Sequence, residues 1–171
     1  MTEEEAFKYC PKCGAKSLVG GKIDGLKCES CGFDFFLNPK PTSAAIIFDQ
    51  QKRLLLTKRG INPHKGFWEF PGGFMKKHES AEQALKRELR EELGITLTDL
   101  KYYRSQAETY AYKNMDLDIL DMFFVCSYRG TPRPDDDVVD FDFFTVKNLP
   151  KIKPDHERIA KGIVLKDIIK N

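Results

Sequence analysis

This 171-residue chain has no apolar run long enough to cross a membrane; its longest strongly apolar pieces, residues 44–48 and 122–126, have the length of core strands. It also lacks a large charge of either sign, with 28 Lys and Arg against 26 Asp and Glu and a formal net charge of +2. Near-neutrality removes the electrostatic argument for a general nucleic-acid or membrane-surface binder, so an acidic substrate would have to be held by local groups and metal ions. The first residues, MTEEEAFK, lack the basic then apolar run of a secretory signal. We therefore expect a cytoplasmic protein with reduced thiols. Cysteine is scarce and unevenly placed, four of the five falling within the first 32 residues. What remains is an ordinary globular balance, 41% hydrophobic and 32% charged, in a chain long enough for one substantial core and a small appendage.

Cys10 and Cys13 form one CxxC knuckle and Cys28 and Cys31 a second, with fourteen residues between them. Each such turn aims two thiolates at one point, and Gly14 and Gly32 permit the tight backbone that follows. A four-cysteine Zn²⁺ site is expected over residues 1–37, a ribbon too small to hold its fold without a staple; two disulfides are the alternative. Gly20, Gly21 and Gly25 suit a short hairpin between the knuckles. Cys126 lies inside an apolar run and reads as a small core residue rather than a nucleophile.

Asn38-Pro39-Lys40-Pro41 is a stiff connector opening a second domain, residues 38–171. Strands are expected at residues 42–49 and 53–59, then a short extended piece at 67–70 that Pro71-Gly72-Gly73 breaks. Further strands fall at 101–112 and 116–128 about a Lys113-Asn114 turn, and at 141–145 after a polar loop. Residues 155–170 read as a closing helix, with Ile159, Ile163 and the 164–168 segment at helical spacing.

The informative element is the helix after Gly73. Ser80 and Gln83 make a capping-box pair that starts it at Ala81, and Gly94 is a natural terminator. Ala81, Ala84, Leu85, Leu89 and Leu93 define its apolar face. At about 100° per residue, Glu88 and Glu92 fall within that stripe, and Glu91 lies at its edge. Three carboxylates near a buried face repel one another and are costly to bury unless compensated. A divalent cation compensates them, and hard oxygen ligands suit Mg²⁺ or Mn²⁺. The competing reading is a charged surface helix with i,i+4 pairs such as Arg87–Glu91; the stripe position argues against it.

Gly73, Glu79, Arg87, Glu88, Leu89, Glu91, Glu92, Gly94 and Ile95 together satisfy G-x5-E-x7-R-E-U-x-E-E-x-G-U, in which U is aliphatic. The chain thereby resembles the Nudix hydrolases, and a chance match at nine positions is on the order of one in a billion at ordinary residue frequencies. The resemblance covers residues 42 to about 156. It implies an α/β Nudix fold, a mixed β-sheet sandwiched between helices, here preceded by the zinc ribbon. It further implies that Glu88, Glu91 and Glu92 bind Mg²⁺ or Mn²⁺ with the Gly73 carbonyl, Glu88 also acting as base on the attacking water. Glu79 and Arg87 would pair to hold the loop against the helix. Members of the family often take a further acid or base from a later loop. Asp135, Asp136, Asp137 and Asp140 are the candidates here, and the sequence does not choose among them.

A CxxC ribbon ahead of such a domain is similar to the NADH pyrophosphatase branch, which carries a Ser-Gln-Pro-Trp-type motif; here Ser105-Gln106 is followed by Ala107-Glu108. Tyr110 stands where branches handling dinucleoside polyphosphates often have a tyrosine. Phe74, Tyr110 and Tyr112 are available to stack on a base and Arg59 to meet a phosphate, while Phe67 and Trp68 read first as core. The expected activity is cleavage of a diphosphate linkage in a nucleoside diphosphate derivative of the ADP-ribose, NADH or dinucleoside polyphosphate type. The alternatives are action on nucleoside triphosphates or RNA 5′ caps and, from another class, a non-catalytic nucleotide-sensing module. Some family members are homodimers, for which the ribbon or first strands could serve as contact.

Overall fold

Each CxxC knuckle is a tight turn closed by the glycine after it. In this computed structural model, which describes residues 1–21 and 25–166, the Gly14 amide donates to the Cys10 carbonyl (2.8 Å) and the Gly32 amide to the Cys28 carbonyl (2.9 Å). Both glycines are left-handed, with φ of 75° and 71°. The helical turn α1 (Glu3–Ala6) precedes the first knuckle, and β1 (Leu18–Gly20), β2 (Gly25–Cys28) and β3 (Asp34–Phe36) make a three-stranded antiparallel sheet. The tip of the expected hairpin, residues 22–24, lies outside the described residues. These elements belong to one compact unit, Met1–Lys40 together with Ala107–Leu120.

The second unit takes Pro41–Gln106 and the chain from Asp121 onward. Its elements are β4 (Lys40–Ile46), β5 (Leu54–Arg59), β6 (Trp68–Glu69), β7 (Gly72–Phe74), α2 (Ala81–Leu93), β8 (Thr96–Tyr112), β9 (Met115–Arg129), β10 (Val138–Phe144) and α3 (Pro154–Lys166). The ends of β4, β8 and β9 reach into the first unit. Two sheets result, in the orders β7-β4-β9-β8 and β10-β5-β6. The segment 71–73 does not simply break the chain as expected: Gly72–Phe74 pairs antiparallel with β4, Ser43 opposite Gly73. A Cβ on Gly72, whose φ is 142°, would sit 2.1 Å from the Ser43 carbonyl oxygen, so only glycine makes this strand. Helix α3 starts at Pro154, a residue suited to a first helical position. The part of the expected helix beyond residue 166 lies outside the described residues. No helix among the described residues is long and apolar enough to cross a membrane.

Alternation along β4 assigns its two faces to two cores. Ala45, and Ile47 just beyond it, pack with Leu85, Leu89 and Leu93 of α2; Ala44 and Ile46 pack with Phe70, Phe123 and with Ile159 and Ala160 of α3. The sheet is thus covered by α2 on one face and α3 on the other. Leu85, Leu89 and Leu93 are fully buried, each stabilising the fold by about 1.5–3 kcal/mol relative to exposure. Leu89→Ala should cost about 2–5 kcal/mol, whereas Tyr102→Ala, at a site 59% exposed, should stay within about 0.5 kcal/mol. Urea midpoints at an unchanged denaturant slope would check both.

Candidate functional site

Helix α2 is anchored at both ends by the residues its sequence specifies. The Gln83 amide donates to Ser80 Oγ (3.3 Å), and the Ser80 amide to Gln83 Oε1 (2.8 Å), closing the capping box. Gly94, left-handed at φ 65°, ends the helix and donates to the Arg90 carbonyl. The last carbonyls would be orphaned, but the Arg133 amide donates to Leu93 (3.0 Å) and the Asp135 amide to Glu92 (2.9 Å). The acidic loop is therefore docked on the helix end by its backbone. Gly60 fixes its far side by donating to the Asp137 carbonyl at 2.7 Å.

Between these anchors the helix presses its carboxylates on the glycine strand. Glu92 is 6% exposed, and its Oε2 accepts from the Gly72 amide at 3.1 Å. Glu88 lies against Gly73 so closely that a Cβ there would come 2.8 Å from the Glu88 carboxyl carbon. Burial holds the Glu92 carboxyl well above the usual carboxylate range, and the charges of Glu69, Asp137 and Glu88 push it further the same way. Burial also raises Glu88, outweighing the Arg87 cation beside it. Glu91, more exposed, is lowered by its hydrogen bond from Arg87.

Arg87 is the hub of the loop. It grips Glu79 through Nε (2.7 Å) and Nη2 (2.8 Å), reaches the Phe74 carbonyl (3.1 Å), and spans Glu88 (2.6 Å) and Glu91 (2.9 Å) with Nη1. The Arg87 hydrogen bonds and the Lys76 amide hold the Glu79 carboxyl down at about 2.

Of the four candidate aspartates, the structure brings Asp137 toward Glu92; Asp135, Asp136 and Asp140 are exposed. Asp137 is raised chiefly by burial, against the opposing pull of Arg59. Arg59, expected as a phosphate contact, is engaged by Glu69 Oε1 (3.1 Å), Asp137 Oδ2 (3.3 Å) and the Pro63 carbonyl (2.8 Å). Sequence reasoning passed over Glu69, though period-two alternation beside the core residues Trp68 and Phe70 would have turned it to this side. Phe74 is 41% exposed next to Gly73. Tyr110 and Tyr112 belong to the other unit, where their rings stack with centroids 6.3 Å apart and Lys113 Nζ lies 5.1 Å from the Tyr112 ring. Cys126 is buried, which pushes its thiol up to about 12 and makes it a poor nucleophile.

In the first unit the sulfurs of Cys10, Cys13, Cys28 and Cys31 all lie within 4.8 Å of one another, an arrangement that could hold a metal ion. The sulfurs of Cys10 and Cys31, 3.8 Å apart, and of Cys13 and Cys28, 3.7 Å apart, are far beyond a disulfide bond. The Ser17 hydroxyl, 3.2 Å from Cys28 Sγ, holds that thiol down to about 6 and favours the thiolate. No trio of carboxylates among the described residues is gathered that tightly.

A NUDIX domain model matches residues 38–164. Among curated proteins, the chain is 32% identical over 132 residues to an ADP-ribose pyrophosphatase of Methanocaldococcus jannaschii, covering 75% of each. It is 25% identical over 162 residues to the NAD-capped RNA hydrolase NudC of Vibrio cholerae serotype O1, covering 94% of this chain and 57% of that protein. The chain thus spans little more than half the length of the NudC proteins it matches. Among solved structures, a MutT NUDIX hydrolase from Burkholderia pseudomallei superimposes with a TM-score of 0.66 at 27% identity, over 74% of this chain and 98% of that one. A NUDIX hydrolase from Nitrosomonas europaea shares the fold with a TM-score of 0.68 at 23% identity, over 92% and 88%.

Glu79 binds protons more weakly in the folded chain (about 2) than at its ordinary 4.5. Its pairing therefore stabilises the fold above pH 4.5, and that stability is lost as pH falls from 4.5 toward 2. Glu79→Gln should lower the urea midpoint at neutral pH, with the gap to wild type closing over that window. A gap independent of pH would show that the Arg87 pairing is not its source.

Proposed function

Because the chain belongs to the Nudix hydrolase family, we propose that it cleaves the diphosphate linkage of a nucleoside diphosphate derivative, with Glu88, Glu91, Glu92 and the Gly73 carbonyl holding Mg²⁺ or Mn²⁺. The observation that carries this reading is Glu92, a carboxylate buried to 6% exposure beside Glu88, Glu69 and Asp137. Such a group is destabilising unless it is protonated or faces a cation. The donors are hard oxygens, which fit a divalent ion of this kind. When bound, that ion supplies charge neutralisation at the diphosphate and a lowered pKa for a coordinated water.

The protein's own residues do the rest. Glu88, which burial raises against the pull of Arg87, accepts the proton of the attacking water. Arg87 and Glu79 fix the Gly73–Ser80 loop, so that the Gly73 backbone and the helix keep their spacing. Asp137 is the fourth acid, and Arg59 balances it and Glu69. Phe74 offers a ring to a base. Cys10, Cys13, Cys28 and Cys31 bind a structural Zn²⁺.

The names of the relatives, ADP-ribose pyrophosphatase and NAD-capped RNA hydrolase, point to substrates in which a diphosphate joins two nucleoside or ribose moieties. The test is a panel of ADP-ribose, NADH, NAD-capped RNA, a dinucleoside polyphosphate and nucleoside triphosphates with Mg²⁺ or Mn²⁺. We expect nucleoside monophosphate from cleavage inside the bridge, and loss of turnover in folded Glu92→Gln. Pyrophosphate released from triphosphates would move the assignment to that substrate class, and unchanged turnover in Glu92→Gln would refute the metal assignment. No turnover of any substrate would leave the sensing module. Protein purified without chelator should carry about one zinc per chain by elemental analysis, a content lost in Cys28→Ser.

A further inference from the structure

One buried imidazole lies among the rings of the core that α3 covers, away from the carboxylates of α2. His156 of α3 is 5% exposed and packed against the rings of Phe70 and Phe123, with centroids 5.4 and 5.7 Å away. Its Nδ1 accepts from the Phe70 amide at 3.0 Å. An accepting nitrogen carries no proton, so in the neutral ring the proton sits on Nε2. That nitrogen faces Asp121 Oδ2 of β9 at 3.6 Å. Asp121 is 4% exposed; its Oδ1 accepts from the Thr42 hydroxyl, and its Oδ2 has no hydrogen-bond partner among the described residues. Thr42, in turn, stands opposite Phe74 in the pairing of β4 with β7.

The chain His156–Asp121–Thr42 thus links the Phe70 end of the segment, through the imidazole, to the strand β4 whose backbone pairs with Phe74. Within that segment lie the Gly72 amide that holds Glu92 and the Gly73 backbone against Glu88. A buried, incompletely satisfied carboxylate is a costly way to fill a core in which neighbouring positions are Ile, Phe and Ala. It has a use if it fixes the proton on Nε2 and leaves Nδ1 open to the Phe70 amide.

We propose that His156 is a positioning residue for the hydrolysis described above: with Nε2 facing the Asp121 carboxyl that Thr42 orients, it accepts from the Phe70 amide, fixes that backbone and so sets the Gly72–Gly73 strand at the distance the catalytic helix requires. The inference rests on the hydrolase reading for its kinetic consequence, but not for its structural one.

Three variants test it. His156→Asn keeps an acceptor near the position of Nδ1; His156→Leu removes it while filling the space. In Asp121→Asn, the Thr42 hydroxyl keeps the oxygen engaged, so the amide N–H₂ turns to the imidazole and selects the opposite tautomer. Mn²⁺ affinity measured by electron paramagnetic resonance without substrate, kcat and KM, and the thermal midpoint are the readouts. For folded His156→Leu and Asp121→Asn we expect Mn²⁺ affinity and kcat to fall by roughly 10–100-fold, with KM within about twofold. His156→Asn should recover most of both. Equal losses in His156→Asn and His156→Leu, or unchanged Mn²⁺ affinity in folded His156→Leu, would overturn the proposal. If His156→Leu fails to fold, Asp121→Asn decides by the same criteria. Wild-type protein that binds Mn²⁺ but turns nothing over would sink the hydrolase reading alone; the Mn²⁺ titration would still judge the positioning role.

Discussion

A helix can set carboxylates against a neighbouring backbone only where that backbone has no side chains. Gly72 and Gly73 meet this condition from two directions. A Cβ on Gly72 would collide with the Ser43 carbonyl of β4, and one on Gly73 with the Glu88 carboxyl of α2. The strand thus lies tight against the β4 backbone at Gly72 and beneath the Glu88 carboxyl at Gly73. Glu92 reaches the Gly72 amide because the helix is this close, and Glu88 is half-buried for the same reason.

Closeness carries an electrostatic penalty that the surrounding residues distribute. Glu69, Asp137, Glu88 and Glu92 repel one another in a partly desolvated space. Arg59 spans Glu69 and Asp137, and Arg87 spans Glu88 and Glu91 while gripping Glu79. Two guanidiniums thus bracket the acids, and their planar forks fix orientation as well as charge. Neither reaches Glu92 among the contacts described, and burial first, then the charges of Glu69, Asp137 and Glu88, raise its carboxyl. The first unit, by contrast, gathers the sulfurs of Cys10, Cys13, Cys28 and Cys31 within 4.8 Å of one another, an arrangement that could hold a metal ion.

Much of this is legible in the residues themselves. The capping box, the Gly94 stop and the position of Glu88 and Glu92 within the apolar stripe all follow from helical periodicity, and the helix forms over Ala81–Leu93 as that periodicity requires. The paired CxxC knuckles likewise read directly as turns. The glycine strand was less legible. Pro71-Gly72-Gly73 has the composition of a break, and its pairing with β4 depends on the room that α2 and β4 leave, which no local rule contains.

Local spacing, then, determined the helix, its ends, the face that carries the glutamates and the cysteine turns, because each of these spans a few residues and obeys a fixed rise and rotation per residue. Only the tertiary structure brings Asp137, of the four aspartates, toward Glu92. The loop that carries it is docked by the amides of Arg133 and Asp135 on the last carbonyls of α2, a backbone requirement indifferent to which side chains the loop bears. The same holds for Glu69 beside Arg59 and for His156 beneath Phe70, 86 residues away in the chain. Such pairs are set by the packing of sheets and helices, where separation in sequence has no bearing on separation in space.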